Sequence, residues 1–234
     1  ATPTILWVSA HPEPGSLNGA LRDDSLAHLR HRGHTVLESD LYAMHWDPVV
    51  RPADGGHTWD APPSRFCVSR DTRNAYRARS QPAEARAEQA KLRRADVVVV
   101  QFPLWWYGMP AILKGWFDRV FGIDPVTGRR LRFEQGPFTG TRALAVTTLG
   151  DRPHAIGPRG KSGELGELLL GLLHGTFAYT GMSVLPPWAL PSADRLACYE
   201  TAWDSLRRRL DGLGTDEPIA YRPQFTGDYT PDWE

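Results

Sequence analysis

The chain has 234 residues, with 27 basic and 27 acidic side chains balancing to a formal net charge of zero. That balance offers no basic face for nucleic acid, and no stretch approaches the ~20 apolar residues of a membrane span, so neither partner is expected. The two cysteines, Cys67 and Cys198, stand far apart in no CxxC or zinc-ligand spacing, which predicts no metal site and a reduced, cytoplasmic setting.

A chain of this length can bury a full core without staples, and its 20 prolines and 22 glycines are spread along it, which predicts long ordered loops. The first apolar run is short and lacks a basic flank, unlike a signal peptide. "TILWVSA" (4–10) is continuously apolar, the pattern of a strand covered on both faces. The loop "HPEPGSLN" leads into a helix over 19–33 that carries Leu21, Leu26 and Leu29 and stops at Gly33; a second strand spans 34–41. Residues 42–80 have few periodic signals and read as a loop-rich insertion. A polar, Ala-rich helix covers 82–95, with Pro82 at its first turn. "DVVVVQFP" (96–103) is the clearest strand, and 110–122 is a helix with proline at its start and glycine at its end. A strand over 141–150, a helix over 163–181, a proline-interrupted fifth strand over 182–190 and a helix over 193–214 follow. The tail, 215–234, shows no clear element.

Strand and helix alternate five times, which predicts one α/β domain over 1–234: a doubly wound, five-stranded parallel sheet with helices on both faces. Such sheets bind ligands beyond the carboxyl ends of their strands, where strand order reverses. The loops 11–18, 103–109 and 148–162 therefore carry the functional question.

The first loop offers Ser16 and Asn18 as caps and free amides that attract an anion, or that simply start a helix. It has neither GxGxxG nor GK[ST], so it is no nicotinamide Rossmann or P-loop site. The second, "PLWWYG", sets three aromatics between Pro103 and Pro110; a planar heteroaromatic ligand, a dimer interface or a core plug would each use them. The third, "TTLGDRPHAIGPRGKSG", brings hydroxyls, glycines, Arg152, His154, Arg159 and Lys161. It suits a ring that gains negative charge, or is a solvated basic loop. Together they describe a phosphate end, a stacking surface and a charge-stabilising edge, which are the needs of a flavin. No nucleophile elbow, HExxH or paired-carboxylate motif competes.

"AHPEPGSLNGAL" (10–21), "ESDLYAM" (38–44), "QFPLWWYGMPAILKGWFDRVF" (101–121), "GPF" (136–138) and "TT" (147–148) resemble the NAD(P)H:quinone oxidoreductases of the DT-diaphorase family. The resemblance implies a flavodoxin-like fold, a homodimer with a flavin site at each subunit interface, non-covalent FAD (FMN being the alternative), and NAD(P)H as hydride donor to a small-molecule acceptor, a quinone, in ping-pong kinetics. It places His11, Ser16, Leu17 and Asn18 along the ribityl and pyrophosphate, and Pro103, Leu104, Trp105 and Trp106 against the ring. Thr147, Thr148, Leu149 and Gly150 fall at the ring edge, Tyr107 near the nicotinamide and acceptor, and Arg195 and Cys67 near the adenine. The family's third-loop tyrosine is replaced here by His154 or Ala155, and its histidine by Gly160 or Lys161. Charge stabilisation then falls to His154, or to Lys161 or Arg159 as a fixed cation.

Three departures bear on the acceptor: Leu149 stands where the family has glycine, the lid expected at 126–129 reads "VTGR", followed by Arg130, and His154 changes the third loop; Cys67 stands where a glutamine would contact the cofactor. Reduction of a nitro, azo or other conjugated metabolite is therefore an alternative. So, in a different class, is a redox-sensing ancillary subunit of a potassium efflux system.

Overall fold

The structure, a computed structural model, describes residues 2–58, 65–121 and 131–224. Its elements in chain order are β1 (Thr4–Ser9), α1 (Leu17–His31), β2 (Thr35–Asp40), α2 (Val68–Ala78), α3 (Ala83–Arg94), β3 (Val97–Pro103), α4 (Ala111–Val120) and β4 (Arg142–Thr148). The short α5 (Leu165–Leu168) and α6 (Leu170–Leu172), β5 (Ser183–Val184), β6 (Trp188–Leu190) and α7 (Tyr199–Asp211) complete it. Strands form where β-branched and apolar residues run together. All pair in parallel, in the order β2-β1-β3-β4-β5, with β6 also on β4.

Both faces of this sheet are covered, and the strand period of two sorts the core. Ile5, Trp7, Val97, Val99, Leu144 and Val146 point to the side of α1 and α7. Leu6, Val8, Val98, Val100, Ala143 and Ala145 point to the side of α3 and α4. Strand order reverses between β1 and β3, so their carboxyl ends open the crevice that such sheets use.

Three elements differ from expectation. Residues 42–80 are not merely loop: a 3₁₀ turn at Pro52–Gly55 and α2 pack on each other. The buried face of α2 is Asp71, Thr72 and Ala75, small and polar, so no apolar stripe marked it in the sequence. Arg70 holds the Asp71 carboxyl well below the usual carboxylate range, helped by the Cys67 amide. The helix over 163–181 is broken into α5, α6, a π turn (Leu173–Phe177) and a 3₁₀ turn (Ala178–Thr180). Thr176 donates its hydroxyl to the Gly171 carbonyl at 3.0 Å and Thr180 to that of Thr176 at 2.8 Å, side-chain bonds that bend helices. The last helix begins at Tyr199 rather than 193; residues Ala193–Arg195 form a separate 3₁₀ turn. The interrupted fifth strand is as expected: β5 and β6 flank Pro186 and Pro187, and both continue along β4. The tail is irregular as far as 224, although the Ile219 amide donates to the Val184 carbonyl at 2.7 Å. The 126–130 segment lies outside the described residues. Among those described, no helix is long and apolar enough to cross a membrane.

Candidate functional site

The first loop turns sharply into α1. Ser16 caps the helix, its hydroxyl accepting the Gly19 amide at 3.1 Å. Only glycine fits at 19, because a Cβ there would lie 1.8 Å from the Pro14 carbonyl oxygen. His11 Nδ1 accepts the Glu13 amide at 3.1 Å and lies 3.0 Å from Ser16 Oγ. The imidazole is thereby fixed against the cap.

The second loop explains how three aromatics sit on a turn. Trp105 and Gly108 exchange both backbone hydrogen bonds, N to O at 3.0 and 2.9 Å, closing a two-residue hairpin. Its central residues, Trp106 and Tyr107, have φ of 52° and 58°. That is the signature of a type I′ turn, which ordinarily takes Asn-Gly. Bulky side chains in this region are strained, and such strain concentrates at functional sites. Trp106 is 98% exposed, and the Tyr107 hydroxyl donates to Ser162 Oγ at 3.0 Å, clasping the hairpin to the third loop.

The third loop leaves β4 beside the second: the Leu104 amide donates to the Thr148 carbonyl at 2.8 Å, and the Leu149 amide to that of Leu190 at 3.0 Å. Leu149 has no positive φ and its side chain is buried with the core on the α4 side, so glycine is not required there. Beyond it the chain closes on itself. Ser162 donates its amide to the Ala155 carbonyl, which a Cβ on Gly160 would approach to 2.3 Å.

These ends enclose a cleft of about 330 Å³. Loop one contributes His11, Ser16, Leu17 and Asn18, loop two Pro103, Leu104 and Trp105, and loop three Thr148, Leu149 and Gly150. Ten of the residues expected at a cofactor are thus brought together. Ala193 and Asp194 complete the wall; sequence reasoning missed both, since nothing local marks a turn between β6 and α7 as part of the site. Thr147 lies fully buried beneath, its hydroxyl without a partner. Trp106, Tyr107, Arg195, His154, Lys161 and Cys67 are not among the lining residues. His154 and Lys161 are exposed on the third loop, and Arg195 pairs with Asp194 at 3.4 Å. Cys67 precedes α2, its thiol lowered below the ordinary value by the Arg70 amide and then by the Ser69 hydroxyl. Among the described residues no group of His, Cys, Asp and Glu side chains suits a metal.

Chemically, the cleft offers amides at a helix start, an apolar wall and two polar side chains, Asn18 in the first turn of α1 and Thr148 at the end of β4. Asn18 is 7% exposed and its Oδ1 has no hydrogen-bond partner. A buried carbonyl left unmatched costs free energy unless a ligand meets it. A flavin, with an anionic tail, a planar ring and a hydroxylated chain between, fits this donor and acceptor set.

A parallel sheet in the order 2-1-3-4-5 with its cleft at the β1/β3 reversal is a flavodoxin-like protein, and the family described as Flavodoxin-like fold matches residues 3–210. A ribosyldihydronicotinamide dehydrogenase-like protein of Penicillium crustosum is 38% identical, across 97% of this chain and 86% of the relative. The human ribosyldihydronicotinamide dehydrogenase [quinone] is 36% identical, across 92% and 94%. A solved structure from Klebsiella pneumoniae, assigned as a quinone reductase, superposes with a TM-score of 0.92 at 38% identity, covering 100% of this chain and 93% of that one. The chain belongs to the NAD(P)H:quinone oxidoreductase family.

Proposed function

We propose that this protein is a flavin-dependent NAD(P)H oxidoreductase that reduces quinones by two electrons in a ping-pong cycle, with FAD as its cofactor. The observation that carries the reading is the convergence of ten family-matched residues on one cleft. When bound, the flavin supplies hydride acceptance from the nicotinamide and hydride donation to the acceptor.

The chain's own residues do the rest. Ser16 and the amides around it hold the anionic tail at the positive end of α1. Leu104, Trp105 and Leu149 give the ring an apolar bed and exclude water. Thr148 addresses the ring edge. Donor and acceptor share one opening beside the hairpin, so one leaves before the other enters. Tyr107, clasped to Ser162, borders that opening, and His154 or Lys161 stabilises the charge that accumulates at the ring edge.

A homodimer supports this arrangement. Trp105, Trp106, Tyr107, Leu170 and Tyr179 are exposed large side chains. A groove of about 510 Å³ lies between α4 and the broken helix, walled by Phe117, Phe121 and Leu172. Apolar surface of this kind is rare on monomers, and a second copy covers it. Both cysteines are free, which supports a reducing compartment.

The test is direct. Heating the yellow protein and weighing the released chromophore by mass spectrometry should give the mass of FAD. The holoenzyme should reduce menadione, with NADH, NADPH and dihydronicotinamide riboside compared as donors in view of the relatives' names. Material that stays colourless with FAD and FMN refutes the reading; turnover of nitro or azo compounds but no quinone refutes the acceptor.

A further inference from the structure

Beneath the cleft runs a hydrogen-bonded chain that no lining residue reveals. Gln101 on β3 is 2% exposed. Its Oε1 accepts the Trp7 indole N–H at 3.0 Å, and its Nε2 donates to the Asn18 backbone carbonyl at 2.8 Å. Asn18 in turn donates from Nδ2 to Thr148 Oγ1 at 2.9 Å. The backbone joins in: the Ala10 amide donates to the Gln101 carbonyl at 3.0 Å. One buried amide therefore ties β1, the start of α1 and, through Asn18, the end of β4.

The chain has a direction. A threonine hydroxyl carries one hydrogen and two lone pairs. With Asn18 donating into one lone pair, the Thr148 hydrogen has to find an acceptor elsewhere. Among the described residues Thr148 Oγ1 makes the bond to Asn18 and no second one, and no donor meets Asn18 Oδ1. Thr148, at the cleft wall, is thus left with a donor for a ligand, while Asn18 Oδ1 is enclosed beneath it without a donor. An acceptor at the flavin's ring edge answers the Thr148 hydroxyl.

We propose that Gln101 is a positioning residue of this site: by holding the Asn18 backbone it orients the Asn18 amide, which turns the Thr148 hydroxyl hydrogen into the cleft. This inference rests on the flavin reading above. Gln101 touches no ligand itself; through Asn18 it sets the geometry of Thr148, which does. Its side chain is the length needed to span from the Trp7 indole to Asn18, and any apolar replacement strands the buried indole N–H and releases the second hold on the Asn18 carbonyl, which keeps its helical partner.

The experiment uses Gln101→Met, which keeps length and removes both hydrogen bonds, with Thr148→Val and the double variant, read by flavin titration. Gln101→Met should weaken FAD binding about tenfold, and the double variant should bind about as weakly as Thr148→Val alone, because the effect passes through Thr148. Trp116→Phe serves as a control for general weakening of the core. It breaks a buried bond to Glu88 Oε2, 2.9 Å long, on the α4 side, and should leave FAD affinity within about twofold. Additive losses in the double variant, or an equal loss in Trp116→Phe, overturn the proposal. Should Gln101→Met fail to fold, Gln101→Glu keeps the acceptor for Trp7 but not the donor to Asn18, and is expected to weaken FAD in the same way; undiminished affinity overturns the proposal. In the flavin-free protein, the Asn18 side-chain amide resonances should move in Gln101→Met, and unmoved resonances also overturn it. That last reading needs no cofactor: wild-type protein that takes up no flavin refutes the proposed function, while the resonances still decide the relay.

Discussion

Replacing Trp106 by asparagine is expected to make the fold more stable, an unusual outcome for removal of a tryptophan. Trp106 sits at φ 52° in the hairpin, a backbone region where an ordinary L-residue is disfavoured by roughly 1–2 kcal/mol and where asparagine is at home. The indole itself contributes little to one copy of the chain: at 98% exposed it has almost no apolar area to lose, so the burial term of about 25 cal/mol per Å² nearly vanishes. The hairpin's own bonds, Trp105 to Gly108, involve backbone and are kept. The net expectation is a gain of about 1 kcal/mol, or about 2–4 °C in melting temperature for a chain of this size. Thermal melts of the flavin-free protein measure it, run at two concentrations because association with a second copy would make the midpoint concentration-dependent. Acceptor KM should rise in the same variant, since the strain is kept in the wild type to present an aromatic wall. A lower midpoint at the lowest protein concentration would refute the reasoning, because it would mean that the indole is packed within its own chain.

Gly19→Ala should empty the site of cofactor, because the added Cβ has to displace the Pro14 carbonyl and open the first loop; the ratio of flavin to protein absorbance after purification reads this directly. Arg119→Met is expected to cost about 3–5 kcal/mol in urea unfolding. Arg119 is 5% exposed and pairs with Asp54 at 2.9 Å and Glu84 at 2.8 Å, so its loss leaves the Asp54 carboxylate buried and uncompensated. Asp71→Asn should flatten the acid limb of stability. The folded carboxyl ionises below the usual value of about 3.9, so its contribution is complete above that value and is lost as pH falls toward the folded one. Urea midpoints from pH 6 down to 2 that fall as steeply in Asp71→Asn as in wild type would remove Asp71 from this role.

The sequence by itself determined the layers. The alternation of strand and helix, the runs "TILWVSA" and "VVVVQFP", and the turn chemistry of three loops are local patterns, each spelled within a few neighbouring residues. They sufficed to place the sheet, its open edge and the three loops of the cleft, while the ten individual residues came from the resemblance to the family. Where the pattern was not apolar it failed: α2 buries Asp71, Thr72 and Ala75 and was passed over as loop. Where local propensity met a competing hydrogen bond it failed too, as Thr176 and Thr180 break the helix that Leu168 to Leu173 promised.

Tertiary structure alone decided the finer machinery. Gln101 meets Asn18 across 83 positions, and Asn18 meets Thr148 across 130. Nothing in the spelling of either stretch foretells that pairing, because the strands must first come side by side. The same holds for Asp194 joining the wall, and for Trp106 pointing outward while Trp105 lines the cleft. A strand's period fixes which face a residue takes, but which partner waits on that face depends on parallel neighbours far away in the chain.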